Sequence, residues 1–367
     1  MEKKIPWFLP SMGRRDSELV QHVLESNYIN DGDVTRKFEK RVAEIIGARY
    51  CVAVTSGTAA IALALMAAGI GRGDEVLVPD LTFIATANAV HLSGADVRLV
   101  DVDAATFTID PAMIEAAIGP LTRAVVTVDV NGRGADYKAI ERICERYGLV
   151  LVCDSAEALG SRQGKQYLGT FGDAGCFSFS PNKTVTCGQG GMVATDRVDI
   201  YHNLLELKDQ GRRQQGTGGD DLHPVIGYNF KLTNLQAAVG LAQLELLDQR
   251  LEGFVRRDTH YAARLEGHPG LEVPQWERAS GQVKQWMDVL IADRPAVCRA
   301  LENAGIGNRP FWFPLHTQKP YSLNNSSFQN AVGISKRGLW LPSYFDLTTD
   351  EIDRTCDVIL MAIRRRK

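Results

Sequence analysis

Hydrophobic positions along the chain switch between two periods. Over residues 16–26, Leu19, Val20, Val23 and Leu24 fall at helical spacing. After the break Asn30-Asp31-Gly32, a second stripe of Val34, Phe38, Val42 and Ile45 stops at Gly47. Residues 50–55 read as a strand, followed by Ser56-Gly57-Thr58 and the apolar helix AAIALALMAAG. Apolar runs at 75–78, 97–100, 124–128 and 149–153 then alternate with helical patterns at 82–93, after Pro111 and at 135–147. This alternation predicts an α/β protein built on a mostly parallel, doubly wound sheet. The turn Gly188-Gln189-Gly190-Gly191 leads into a strand at 192–195, and a polar, glycine-rich loop fills 211–224. One long amphipathic helix is expected over 232–251. Beyond it come a strand at 285–291, a helix at 295–304, an extended piece at 307–313 and a last helix after Thr348. That change of pattern places a domain boundary near 245, with a large domain over 1–245 and a small α+β domain over 246–367.

In open α/β sheets ligands sit outside the C-terminal ends of the strands. The strand at 149–153 delivers Asp154 to that edge, and Ser178-Phe179-Ser180-Pro181-Asn182-Lys183 runs from a strand into a lysine. An amine and a carboxylate in one crevice match the needs of pyridoxal phosphate, which takes a Schiff-base lysine and an acid at its pyridinium nitrogen. The small residues Ser56, Gly57 and Thr58 before a helix leave backbone N–H groups for an anion, or form an ordinary turn. Phe83, placed at a helix start after a strand, is either a ring that stacks on a planar cofactor or a core residue.

Composition narrows the class. The 367 residues are 45% hydrophobic and 23% charged, as in ordinary soluble proteins. A formal charge of −3 argues against a nucleic-acid partner, and the basic end Arg364-Arg365-Arg366-Lys367 is read as a frayed helix. The seven cysteines form no CxxC pair, so free thiols in a reducing cytoplasm are expected, with Cys187 as a core residue and no metal site. No apolar run is long enough for a membrane span, and MEKKIPWFLP lacks a signal-peptide core.

Five blocks stand in order: SGTAAI at 56–61, VPDLTFIATANAV at 78–90, DSAEALGS at 154–161, GDAGCFSFSPNKTVTCGQGGM at 172–192 and GYNFKLTNLQAAVGLAQLE at 227–245. On them the chain resembles, over nearly its full length, the DegT/DnrJ/EryC1/StrS family of nucleotide-sugar aminotransferases. These are pyridoxal 5'-phosphate enzymes of the type I, aspartate-aminotransferase-like fold. The resemblance implies that Lys183 carries the cofactor and moves the proton, that Asp154 faces the pyridine nitrogen, and that Glu157 contacts the phenolic oxygen. Many relatives have Gln at that last position. It further implies a phosphate cup of Gly57, Thr58 and Ser178, stacking by Phe83, and Asn229 reaching the phosphate of a neighbouring subunit in a homodimer with shared active sites. Departures fall at Asp129, where His is frequent, near Asn131, where Tyr is common, and at Cys187 and Gln189, where Thr and Glu are common.

The implied reaction takes the amino group from L-glutamate, leaving 2-oxoglutarate and pyridoxamine 5'-phosphate, and gives it to a nucleotide-linked keto sugar. Lys183 separates the chain from sugar 3-dehydratases of this fold, which carry His there. The stretch Gly307-Asn308-Arg309-Pro310-Phe311-Trp312-Phe313-Pro314-Leu315-His316 resembles the branch that converts GDP-4-keto-6-deoxymannose to GDP-perosamine, for surface glycans such as O-antigen. Trp312 and His316 would then lie near substrate, as would Tyr28, Asn30 and Lys231. Alternatives stay open: a UDP- or dTDP-linked keto sugar aminated at C4 or C3, a packing role for His316, a solvated Lys231, and a non-catalytic, cofactor-binding regulator.

Overall fold

The computed structural model describes residues 3–213, 221–274, 278–323 and 327–364. The glycine-rich centre of the 211–224 loop and the end of the C-terminal basic run lie outside the described residues. Two helices, α1 (Arg14–Glu25) and α2 (Asp33–Ile46), lead into β1 (Tyr50–Val54) and the almost wholly buried α3 (Gly57–Ala67). Then follow β2 (Glu75–Pro79), α4 (Ala85–Ser93), β3 (Asp96–Val100), α5 (Pro111–Ala117), β4 (Thr122–Val128), α6 (Tyr137–Tyr147) and β5 (Val150–Asp154). A small hairpin, β6 (Arg162–Gln163) and β7 (Gln166–Tyr167), precedes β8 (Ala174–Ser178), β9 (Gly191–Thr195) and α7 (Val198–Lys208).

The seven-stranded sheet has the order β1-β9-β8-β5-β4-β2-β3. Strands β3, β2, β4, β5 and β8 run parallel, and β9 pairs antiparallel with both β8 and β1. The central strands are buried on both faces, which is why they read as continuous apolar runs. The C-terminal ends of the parallel strands therefore open on one side of the sheet, where the loops carry the polar residues.

The expected single helix over 232–251 is two helices. α8 (Asn234–Leu244) is capped by Thr233, and α9 (Leu247–Leu265) starts after Leu246, whose φ of −100° and ψ of 1° leave the helix. The apolar spacing runs on unbroken, but it serves two partners: α8 packs on α1 and α2, whereas Tyr261 and Leu265 of α9 enter a second core. That core lies on an antiparallel sheet of order β10-β11-β13-β12, formed by β10 (Leu271–Glu272), β11 (Asp288–Ile291), β12 (Arg309–Pro310) and β13 (Gly338–Trp340). Helices α10 (Arg294–Asn303), α11 (Gln329–Arg337) and α12 (Thr349–Arg364) complete this unit. The N-terminal segment joins it too, because Ile5 bridges Ile306 and is 1% exposed in that core. The helix expected over 82–93 begins only at Ala85, so Phe83 stands before it on an open turn and is 50% exposed.

Candidate active site

A cavity of about 390 Å³ opens at the C-terminal edge of the large sheet and is closed from the other side by the second unit. The loop after β1 contributes Ser56, Gly57 and Thr58. Ser56 caps α3, its Oγ accepting from the Ala59 N–H at 3.1 Å, while the earliest N–H groups of the helix have no intrahelical acceptor. Gly57 is there because of a close approach: a Cβ on it would stand 2.9 Å from the Cβ of Ser178. The glycine thus lets the end of β8 bring the Ser178 hydroxyl beside the positive end of a helix. Ser178 Oγ lies 3.2 Å from Ser180 Oγ, which donates to Gln189 Oε1 at 3.3 Å.

Asp154 ends β5 beneath the cavity. Its Oδ2 accepts from Thr86 Oγ1 at 2.7 Å, Thr86 in turn lies 2.9 Å from Thr82, and Oδ1 accepts from the Ala156 N–H at 3.2 Å. Burial pushes this carboxyl up to about 6, against the Thr86 bond, which pulls it down. Behind it Asp129 is fully buried and accepts from Tyr137 Oη at 2.6 Å and Ser155 Oγ at 2.5 Å. Burial raises Asp129 to about 7, again against its two hydroxyl donors.

Lys183 lies in the loop between β8 and β9 with its Nζ 3.4 Å from Glu157 Oε1 and 5.1 Å from the centre of the Trp286 ring. The loop is tied to the second unit. Gln285 Nε2 donates to the Asn182 carbonyl at 3.1 Å, and Arg250 Nη1 donates to the Thr184 carbonyl at 2.7 Å.

Of the residues singled out in the sequence, Gly57, Thr58, Phe83, Asp154, Glu157, Ser178, Lys183 and Trp312 line this one cavity. Asn229, Tyr28, Asn30 and Lys231 do not. Lys231 is ion-paired with Asp209, and Asn229 is exposed and bridges Asp209 through its backbone. The carbonyls of Tyr28 and Asn30 accept from Asn234 at 3.0 Å each, and both side chains are exposed. His316 also stands outside the lining of this cavity. Its Nδ1 lies 2.6 Å from Asp80 Oδ2 and its ring stacks on Phe328, so it fastens the segment after β12 to the end of β2. Cys187 is buried with its thiol pushed up by burial, as a core residue would be.

Thr86, Arg309 and Trp286 are among the cavity residues that were not foreseen. Thr86 follows Thr82 by one helical turn, a spacing visible in the sequence. Arg309 stands in the stretch already noted, yet its guanidinium lies 5.1 Å from the Trp7 ring centre and 5.5 Å from that of Trp340, which only the fold reveals. Trp286 gives no signal, since it precedes an ordinary strand.

A lysine, a buried carboxylate and a helix start at the C-terminal edge of such a sheet match what a type I, pyridoxal phosphate-dependent enzyme requires. The chain belongs to the DegT/DnrJ/EryC1/StrS aminotransferase family, whose sequence profile matches residues 10–360. It is 36% identical to a GDP-perosamine synthase of Escherichia coli O157:H7, over 97% of this chain and 98% of that protein. A GDP-perosamine synthase of Caulobacter vibrioides is 35% identical over 94% of each chain. Among solved structures, DesI crystallised in the presence of its TDP-sugar product superposes with a TM-score of 0.92 at 29% identity, over 100% of this chain and 95% of that one. The protein is thus a sugar aminotransferase, and among the described residues no helix is long and apolar enough to cross a membrane.

Proposed function

We propose that this chain moves the amino group of L-glutamate onto GDP-4-keto-6-deoxymannose, forming GDP-perosamine for a surface glycan, in the cytoplasm. The observation that carries the reaction is the convergence of Lys183, Asp154 and the α3 N-terminus on one cavity of about 390 Å³. The residues fit pyridoxal phosphate: a reactive amine, a buried acid and a cradle that Gly57 keeps open at Ser178. The chemistry that cofactor supplies when bound is an electron sink for bonds at an amine-bearing carbon. Around it, Ser56–Thr58 and Ser178 would hold the phosphate, Asp154 the ring nitrogen, Glu157 the phenolic oxygen and Phe83 a ring face. Lys183 Nζ would take the proton from the donor carbon and deliver it across the nitrogen to the cofactor's C4′, two bonds away. Asn229 would serve a neighbouring subunit in a homodimer, which agrees with its exposure and its place outside the lining of its own chain's cavity. We take residues 1–245 as the cofactor domain and 246–367 as the small domain.

The nucleotide is read from the two relatives of more than 30% identity named above, both GDP-perosamine synthases. A UDP- or dTDP-linked sugar is the second reading, favoured by the likeness to DesI. Incubation with L-glutamate and each nucleotide-linked 4-keto sugar, followed by mass spectrometry of the amino sugar, separates them. Product from the GDP sugar is expected; product from the UDP or dTDP sugar alone would sink the GDP reading.

Arg309 suits the carboxylate of the amino donor. Two indole faces hold its charge without using its N–H groups, which stay available as a planar fork. Losing such a charge-assisted bond costs roughly 1.5–3 kcal/mol. Arg309→Gln is therefore expected to lower kcat/KM for glutamate about 10- to 100-fold, with Lys a poor substitute. Unchanged glutamate kinetics would contradict this role.

A further inference from the structure

We infer that Asn131 is a positioning residue that holds both neighbours of the Lys183 amine, Glu157 and Trp286, in one arrangement; this rests on the functional reading above. Those two neighbours come from different halves of the molecule. Glu157 follows β5 of the large sheet, whereas Trp286 leads into β11 of the small one. Both are bonded to Asn131.

The backbone N–H of Asn131 donates to Glu157 Oε2 at 3.0 Å, while the other oxygen, Oε1, faces Lys183 Nζ at 3.4 Å. The side-chain amide grips the backbone of Trp286 at both its N–H and its carbonyl. Nδ2 donates to the Trp286 carbonyl at 2.7 Å, and the Trp286 N–H donates to Oδ1 at 2.8 Å. Nδ2 also donates to Asp288 Oδ2 at 3.2 Å. That carboxylate pairs with Arg133 at 2.6 Å and Lys284 at 2.9 Å. An anion there fixes which way the amide points, since only the NH₂ end can face it. The ring of the gripped Trp286 is the one over which Lys183 Nζ lies at 5.1 Å.

The backbone is shaped for this task. Asn131 is fully buried at φ 56° and ψ 31°, a left-handed conformation that asparagine tolerates better than most residues. Gly132 follows at φ 84°, and a Cβ there would stand 2.2 Å from the Val283 carbonyl oxygen, so the turn presses directly on the strand approach of the second unit. One residue thereby transmits the position of the small sheet to the carboxylate and the aromatic face beside the amine.

Asn131→Gly is the selective test, because glycine suits the left-handed backbone and keeps the N–H on Glu157 while the amide is lost. We expect kcat to fall about 10- to 100-fold, with KM for donor and sugar within about threefold. The visible circular dichroism of the bound cofactor should weaken as Trp286 loosens. Trp286→Leu should cost a similar factor, and the double variant little more than either alone, because both act through one contact. Wild-type kcat with unchanged dichroism, or costs that multiply, would overturn the inference. If the glycine variant does not fold, Asn131→Asp replaces it: it retains the acceptor for the Trp286 N–H but lacks the donor, and the same losses are expected. The dichroism needs no substrate, so it tests Asn131 even if wild-type enzyme shows no glutamate-dependent change and the functional reading fails.

Discussion

Lys183→Ala is expected to abolish reducible attachment of pyridoxal phosphate: borohydride should add the cofactor's mass to the wild-type chain and leave the variant unlabelled. Transamination should fall by at least about 10²–10⁴-fold, the range that a positioned proton carrier supplies. The reason is geometric. Lys183 is the lysine that lines the cavity, and its Nζ is held between Glu157 at 3.4 Å and the face of Trp286. Non-covalent binding should survive, because the α3 N-terminus, Ser178 and Asp154 are untouched. A labelled and active Lys183→Ala variant would require another amine to do the work.

Asp154→Asn removes the acid expected at the ring nitrogen, and a loss of about 10²–10³-fold in kcat is expected, as for other preorganised electrostatic partners. Its pH signature is more specific. Burial raises the carboxyl from 3.8 to about 6, so the fold favours the protonated form up to that pH and carries a buried charge above it. The stability that Asp154 contributes in the cofactor-free chain therefore declines as pH rises from about 4 through about 6. A cationic ring nitrogen reverses the preference, since it stabilises the carboxylate. Added pyridoxal phosphate should accordingly raise Tm more at pH 8 than at pH 5, and this difference should shrink in Asp154→Asn. Equal shifts at both pH values in the wild type would argue against Asp154 as the nitrogen's partner.

Most of the large sheet was legible because its strands are buried on both faces and appear as uninterrupted apolar runs between helical patterns. The cofactor-type residues were legible for a related reason. Asp154, Ser178 and the Ser56–Thr58 turn each sit where a strand ends, and strand ends on a parallel sheet share one edge. The small unit was harder to read. Its strands β10 and β12 are two residues long and carry no periodicity. The break between α8 and α9 leaves the helical spacing intact, so nothing local announces it.

The residues foreseen for substrate divided on the same principle. Trp312 reached the cavity, whereas His316, four residues on, turned to Asp80 and Phe328. Which side chain of an extended stretch faces a cavity depends on what packs against it, and that information is absent from the stretch itself.

The sequence by itself determined the class of fold and the edge of the sheet to which Asp154, Lys183 and the Ser56–Thr58 turn are delivered, because strand ends follow from local period. The roles of Lys183 and Asp154 were read from the family resemblance. Only the tertiary structure decided what stands across from them. Arg309 on its two indoles, Trp286 beneath the lysine, and Asn131 joining the two halves arise from contacts between residues far apart in the chain. Packing between the two sheets sets those contacts, and no short-range pattern encodes it.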